Sequence, residues 1–519
     1  MQRPVRLSMH LIVVNSRSMG IVRTQSIIGS LWVYVGAALG FVTSALLLPR
    51  FFSQEEIGLL SLLVTYGVLF AQFASAGFLH TINRLFPYFR NDEQKHNGFL
   101  FFALLIVSIA SILLIGIYYV AHPLIIGNSS IQNNLFAHYA YLIVPLFIFI
   151  VYFNILDFYN KALFNATRGI FLKEIALRIC ILFCIGLYVW EYISFQAFVY
   201  SYIVSYGCIL VYIIVALISD KQFHIKPDFG MLNKPMRAEI RSVSMYGLLI
   251  SAAGFVILNI DRIMIEKMLT DNPLAQVGIY ATCTYFSTMI ILPSRPLLKI
   301  ASTLVAEAWK RNDMEQIAQL YTKSTITQLI IGILVFAGII VNIDYIFYII
   351  PQSYKPGTWV IIWIGLFYLS DMASGLNNII LGASPKYKSL SVFTGVLIVA
   401  IIVLNLVCIP LYGITGAALA SFIAKLLYNI ASYIYVKKSY NLQPYSCKHI
   451  FILSIAAVAV GITYCIPEHS LVLVNIAVKS IILCILFCVG IYVSKVSDDV
   501  NEIVQTYSKR LFGISKTEK

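Results

Sequence analysis

Charged side chains inside long apolar runs are the residues of this sequence best placed to do chemistry. The candidates are four basic residues, Arg178, Arg262, Arg295 and Lys425, and three acidic residues, Asp157, Asp261 and Asp371. A charge at the centre of a lipid-exposed helix costs roughly 2.5–3.5 kcal/mol, so such residues usually face an aqueous cavity or a partner. The basic excess predicts an internal cavity that attracts an anion, and a lipid-linked phosphate or pyrophosphate fits that setting.

The acidic residues and Lys425 each allow two interpretations. Lys425 lies near the middle of its apolar run, too deep to reach the interface easily, so it either faces a cavity or pairs with a carboxylate. Asp157 and Asp371 could form a proton or cation site, or could be partners for basic residues. Glu174 precedes Arg178 by four residues, a spacing that favours an ion pair on one helix.

Other residue types give no sign of a metal, nucleotide or cofactor site. The sequence has nine cysteines, nearly all in apolar runs. The pairs Cys180/Cys184 and Cys484/Cys488 have one-turn spacing, but neither has a nearby histidine to complete a tetrahedral metal site. It contains no phosphate-binding glycine loop and no serine elbow. Arg295 lies in Pro293-Ser294-Arg295-Pro296, where the prolines should break a helix. Lys299 and Lys479 are expected to reach an interface by snorkelling.

The elements that position these residues are predicted to be membrane-spanning helices. Of the 519 residues, 60% are hydrophobic and 12% are charged, about half the charged fraction of soluble domains, roughly 25%. A soluble globular protein is therefore excluded. We predict an all-α polytopic membrane protein whose fourteen apolar runs each span a bilayer. The runs are 27–48, 57–77, 98–121, 139–161, 171–190, 195–218, 243–266, 275–297, 320–342, 358–381, 389–411, 416–436, 449–466 and 471–494.

The distribution of Lys and Arg gives the orientation. With both termini on the cytoplasmic side, inner segments hold 28 of the 37 basic residues and outer segments hold three, as the positive-inside rule requires. Most of the net charge of +14 is therefore a topology signal, which removes the need for a nucleic-acid partner.

The spans form two repeats. Adding 220 to the boundaries of spans one to six gives nearly those of spans seven to twelve, and Gly58 falls on Gly278. An even number of spans makes the copies parallel, an arrangement that places a cavity between two lobes in alternating-access transporters. The predicted parts are a cytoplasmic leader 1–26, an N-lobe 27–218, a cytoplasmic linker 219–242, a C-lobe 243–436, a peripheral pair of spans 449–494 and a cytoplasmic tail 495–519.

Three motifs carry a resemblance to a known family. They are Asn259-Ile260-Asp261-Arg262 at the end of span seven, Val277-Gly278-Ile279-Tyr280 in span eight and Tyr412-Gly413-Ile414-Thr415-Gly416-Ala417-Ala418-Leu419-Ala420 before span twelve. With these motifs the chain resembles the polysaccharide-export branch of the multidrug/oligosaccharidyl-lipid/polysaccharide (MOP) exporter superfamily, over nearly its whole length. The resemblance carries over Asp261 and Arg262 as motif residues.

The resemblance implies a Wzx-type flippase in the bacterial inner membrane. Such a protein moves undecaprenyl-pyrophosphate-linked oligosaccharide to the outer leaflet for cell-surface polysaccharide synthesis. It couples this to H+ or Na+, needs no cofactor, and works beside a polysaccharide polymerase and chain-length proteins.

Two alternatives remain open. A MATE-like antiporter would share the fold, although the excess of internal cations argues against cationic drugs as its cargo. An integral-membrane glycan polymerase or glycosyltransferase would need reactive groups on a sizeable outer loop, yet the outer loops 122–138 and 343–357 hold one Lys, one Asp and two His. We therefore expect a transporter and not an enzyme.

Overall fold

The computed structural model describes residues 16–126, 135–228, 230, 233–467, 469–497 and 501, and within these ranges it contains helices and no strand. Most of the predicted leader and tail, part of the linker and part of the outer loop 122–138 lie outside the described residues. The helices are α1 (Ser16–Phe41), α2 (Leu48–Phe51), α3 (Gln54–Ala74), α4 (Phe78–Phe89), α5 (Phe99–Ile126), α6 (Leu135–Tyr139), α7 (Ile143–Ala162), α8 (Ala166–Phe171), α9 (Leu177–Val189), α10 (Phe195–Ser219), α11 (Lys234–Met268), α12 (Pro273–Thr288), α13 (Ser294–Arg311), α14 (Met314–Val341), α15 (Ile343–Ile349), α16 (Thr358–Ser374), α17 (Asn377–Ala383), α18 (Lys388–Tyr440), α19 (Cys447–Tyr464) and α20 (Val472–Val493).

The described residues include eleven helices that are long and apolar enough to cross a membrane. The predicted all-α, multi-pass architecture is confirmed, and each predicted run coincides with helix. The runs 171–190 and 275–297 are interrupted helices, while 389–411 and 416–436 both fall within α18. The count of fourteen spans stays a prediction.

The interruptions have local causes. A π-helical segment, Leu172–Ala176, separates α8 from α9, and α12 ends before Pro293. Helix α18 is broken at Gly413, whose φ of +59° and ψ of −137° lie outside the helical region. Since residues with a Cβ rarely adopt such angles, glycine allows the chain to turn there between two helical stretches.

The two predicted repeats meet at equivalent glycines near the predicted outer end. A Cβ on Gly58 of α3 would overlap the carbonyl oxygen of Leu274, and one on Gly278 of α12 would overlap that of Gln54. Both glycines are buried. The crossing is therefore a backbone-to-backbone contact that only residues without a side chain permit.

At the predicted inner end the contact is made by α4 and α11. Thr81 and Ser244 share a hydrogen bond of 2.8 Å between their hydroxyl oxygens, and a Cβ on Gly247 would approach the backbone of Gly77. Arg84 lies 3.9 Å from Glu239 at an exposed position beyond them. The predicted lobes are thus joined at both ends, while their exact boundaries stay predictions.

The predicted peripheral pair, α19 and α20, packs on α14. Ile452, Phe487 and Ile330 belong to one buried cluster there. Lys479 of α20 is only 4% exposed and donates a 2.9 Å hydrogen bond to the Tyr345 hydroxyl. The expectation that Lys479 snorkels into the lipid–water interface is wrong, because its ammonium group is buried within the protein against Tyr345 of α15.

The glycine crossing gives a test of the packing. We expect Gly58→Ala to lower the free energy of unfolding by about 1–3 kcal/mol, because the new methyl group pushes α12 away. Gly116→Ala is the control, since a Cβ there meets nothing within 4 Å. Thermal unfolding of the two purified variants measures the difference, and equal stability would contradict the close crossing.

Candidate functional site

A cavity of about 310 Å³ lies against the N-lobe helices. Its polar wall includes Gln72 of α3, Asn154 of α7 and Tyr206 of α10, and Tyr285 of α12 closes it from the other lobe. The cavity therefore lies where the two predicted repeats face each other, as the parallel-repeat arrangement requires.

Arg178 is the predicted cation that borders this cavity. Its guanidinium donates to the Gly36 carbonyl oxygen of α1 and forms an ion pair of 2.9 Å with Glu174. Gly40 makes room for it, because a Cβ at that position would overlap the guanidinium. The side chain of Arg178 is 28% exposed. The ion pair predicted from the spacing is present, and it faces the cavity.

Two π-helical segments, Val42–Leu47 and Leu172–Ala176, border the same cavity. Such segments occur often at functional sites, because they redirect side chains locally. The second one carries Lys173 into the cavity wall. Sequence reasoning counted Lys173 among the 28 cytoplasmic basic residues and did not name it as a site residue. The available signal was its position within the apolar run 171–190, five residues before Arg178.

Asp261 is the centre of a separate, buried network in the C-lobe. Its carboxylate accepts hydrogen bonds from Tyr280 at 2.5 Å, Asn405 at 2.7 Å and Ser421 at 2.8 Å. These donors come from α12 and from the two halves of α18, and Asp261 itself is 7% exposed. The Asn405 side-chain oxygen is buried and has no hydrogen-bond partner among the described residues.

Arg262, the next residue of the motif, borders a small cavity of about 30 Å³ beside Asp261 and Tyr280. Its guanidinium is 3.5 Å from the Asn259 amide oxygen. Arg295 is exposed and lines a third cavity of about 180 Å³ between α1 and α13, with Lys299. Three of the four predicted cations therefore border three different cavities.

The fourth predicted cation, Lys425, is paired with Asp371. Its Nζ lies 2.8 Å from the Asp371 carboxylate, and the rings of Phe367 and Tyr428 lie 5.7 and 5.0 Å away. Lys425 is only 8% exposed. This geometry matches the packing alternative of the sequence analysis, in which Lys425 pairs with a carboxylate.

The two acids on related helices have different partners. Asp157 forms an ion pair with Lys161, one turn along α7, and lies against Gly169, where a Cβ would overlap its carboxylate. One Asp157 oxygen has no hydrogen-bond partner within the described part of the chain. Asp157 and Asp371 thus belong to separate ion pairs.

The Lys425–Asp371 pair can be tested for its role in packing. Removing one partner of a buried pair costs about 3–5 kcal/mol, and we expect about 2 kcal/mol or more for Lys425→Met, because Asp371 is 30% exposed. The double variant Lys425→Met with Asp371→Leu should recover stability, since no unpaired charge remains. Thermal unfolding checks both, and an equally unstable double variant would contradict the pairing account.

Comparison with known proteins places the chain in a family. The family described as polysaccharide biosynthesis protein matches residues 23–294. The fold is similar to that of the lipid II flippase MurJ in an inward closed conformation, with a TM-score of 0.70, 14% identity, and 90% of this chain and 98% of that chain covered.

An inward-facing multidrug resistance MATE family transporter of the MOP superfamily is also similar, with a TM-score of 0.57, 12% identity, and 81% of this chain and 94% of that chain covered. No curated protein sequence matches significantly. The resemblance predicted from the motifs is confirmed: this integral membrane protein has the fold of the MOP exporters, and it belongs to the polysaccharide biosynthesis protein family.

Proposed function

We propose that this protein is a flippase that exports a lipid-linked, pyrophosphate-bearing oligosaccharide across the bacterial inner membrane, with both termini in the cytoplasm. The observation that carries the proposal is the cavity beside Arg178 and Lys173, which offers two cations inside a fold made of membrane helices. A cationic side chain inside the hydrocarbon layer raises the free energy of the protein unless it contacts water or an anion. A polyprenyl pyrophosphate brings both an anion and a lipid chain.

The lipid chain needs a lateral path. The cavity between α1 and α13 is lined by Gly29 and Val33 on one side and by Leu292 and Pro296 on the other. Its wall is mainly apolar, and the exposed Arg295 borders it. We place the isoprenoid tail in lipid at this groove, between the lobes, with the sugar and phosphates inside.

Alternating access requires two contacts that open in turn. The Gly58–Gly278 crossing closes the predicted outer end, and the Thr81–Ser244 contact closes the predicted inner end. Both are close backbone contacts, since a Cβ on Gly77 would overlap the Ser244 carbonyl oxygen at the inner end. The inner contact also contains the hydrogen bond between the Thr81 and Ser244 hydroxyl groups, which water can replace. Substrate entry from the cytoplasm requires separation of α4 and α11.

The buried network at Asp261 is the best candidate for ion coupling. A carboxylate that is 7% exposed and held by three neutral donors can gain a proton or a sodium ion without losing its surroundings. Asp157 and Asp371 are weaker candidates, because each already has a basic partner. Asn405 also contributes a side-chain oxygen, which can accept a hydrogen bond or bind a cation.

Neither alternative gains support from the geometry. Lys173 and Arg178 outnumber the one acidic residue in the wall of the 310 Å³ cavity, which opposes a cationic cargo. A polymerase or glycosyltransferase would need a cluster of reactive groups at an outer loop. The described outer segment 343–357 contains Asp344 and Lys355 as its charged residues.

A flipping assay tests the proposal. Proteoliposomes that carry a fluorescent polyprenyl-pyrophosphate oligosaccharide should expose the inner-leaflet label, and Arg178→Ala should slow this at least tenfold, because a charge-assisted hydrogen bond contributes about 1.5–3 kcal/mol. Arg168→Ala is the matched control, since Arg168 pairs with Asp220 at 2.6 Å at the predicted inner end. Label exposure no faster than in empty vesicles would overturn the flippase proposal.

The coupling role of Asp261 has its own test. Asp261→Asn keeps the shape of the side chain but cannot be charged, so flipping should no longer respond to an imposed proton or sodium gradient. Flipping without a gradient should continue, because the network does not border the cavity at Arg178. A variant that still responds to both gradients would remove Asp261 from the coupling site.

A further inference from the structure

We propose that Glu174 is a displaceable counter-ion, which occupies in the empty protein the position beside Arg178 that a pyrophosphate takes when substrate binds. This inference rests on the proposed function and adds a role for a residue whose spacing alone predicts only an ion pair. It makes Glu174 a residue that sets the affinity for the anion.

The contacts of Arg178 allow such an exchange. One guanidinium nitrogen donates to the Gly36 carbonyl oxygen and so fixes the group to α1, while the other lies 2.9 Å from the Glu174 carboxylate. The Glu174 side chain is 23% exposed and borders the cavity. An anion in the cavity can therefore replace the carboxylate while Arg178 keeps its anchor.

The local charges favour this exchange for a pyrophosphate diester. The cavity wall carries two cations, Lys173 and Arg178, and one carboxylate, Glu174. A pyrophosphate diester carries two negative charges, which the two cations balance only when Glu174 is neutral or withdrawn. With Glu174 ionised and in place, the cavity wall has a net charge of only +1 to balance the two negative charges of the diester. Repulsion by Glu174 thus weakens binding and favours release.

Among the described residues of the cavity wall, Glu174 is the one acidic residue, so no other carboxylate there can act as the counter-ion of Arg178. The remaining charged and titratable groups on the described wall are Lys173, Arg178, Tyr202, Tyr206 and Tyr285. Helices α1, α3 and α7, which complete the wall, contribute only uncharged side chains to it. Glu174 is therefore the acid that an incoming anion must displace from Arg178.

Glu174 is separate from the coupling site that we propose. It borders the cavity beside Arg178, whereas Asp261 is held by Tyr280, Asn405 and Ser421 in the C-lobe. Glu174 therefore sets the affinity for the anion, and the gradient acts elsewhere.

The test uses the purified full chain at pH 8 and a pyrophosphate diester of one sugar, which is doubly charged at that pH. Titration calorimetry compares a diester carrying a short prenyl chain with one carrying a methyl group. We expect Glu174→Gln to bind both at least tenfold more tightly than wild type, because the neutral amide no longer competes for Arg178 or repels the diester. Glu174→Asp, which keeps the charge, should behave like wild type.

The control is Asp220→Asn, which neutralises an acid paired with Arg168 at the predicted inner end, away from the cavity. It should leave the affinity for both diesters unchanged. Equal or weaker binding by Glu174→Gln, with wild type binding normally, would overturn the exchange and leave the flippase proposal standing. If wild type binds neither diester, both proposals fail. If Glu174→Gln bound only the prenyl diester more tightly than wild type does, the anion would lie outside the cavity. That result would also overturn the exchange.

Discussion

A charge or a backbone polar group in the hydrocarbon layer has no water to bind, so it must find its partner within the protein. Helices satisfy the backbone, and three of the described intramembrane charges show the same rule for side chains. Arg178 has Glu174 and a carbonyl, Lys425 has Asp371, and Asp261 has three neutral donors. The positions of these partners decide which charges a substrate or ion can reach.

The same constraint explains why the lobes differ in chemistry. In the N-lobe the paired charges border a cavity of about 310 Å³, so an anion can compete for them. In the C-lobe Asp261 is enclosed by helices, and the cavity beside it has a volume of about 30 Å³. A bulky pyrophosphate fits the first setting and a small cation fits the second. In the function that we propose, one fold thereby separates the cargo from the coupling ion.

Small residues allow the close helix contacts of this arrangement. Gly58 and Gly278 let two helices cross at backbone distance, Gly40 leaves space for the Arg178 guanidinium, and Gly36 lets α1 lie against Glu174. Lipid gives no hydrophobic drive for helices to associate, so close packing and hydrogen bonds hold the lobes together. Such contacts are short-ranged and are lost when helices separate, which suits the alternating access that we propose.

The sequence alone determined the class of protein, the positions of its helices, the family and the set of charges worth attention, because hydropathy and helix-forming runs are local properties. It left open whether Lys425 is paired, and it misplaced Lys173 and Lys479. Those answers depend on which helix faces meet across large separations, as when Ser421 donates to Asp261 from 160 residues away. Only the tertiary structure decided that Arg178 and Lys173 share a cavity with Glu174, because packing sets which face of each helix lines it.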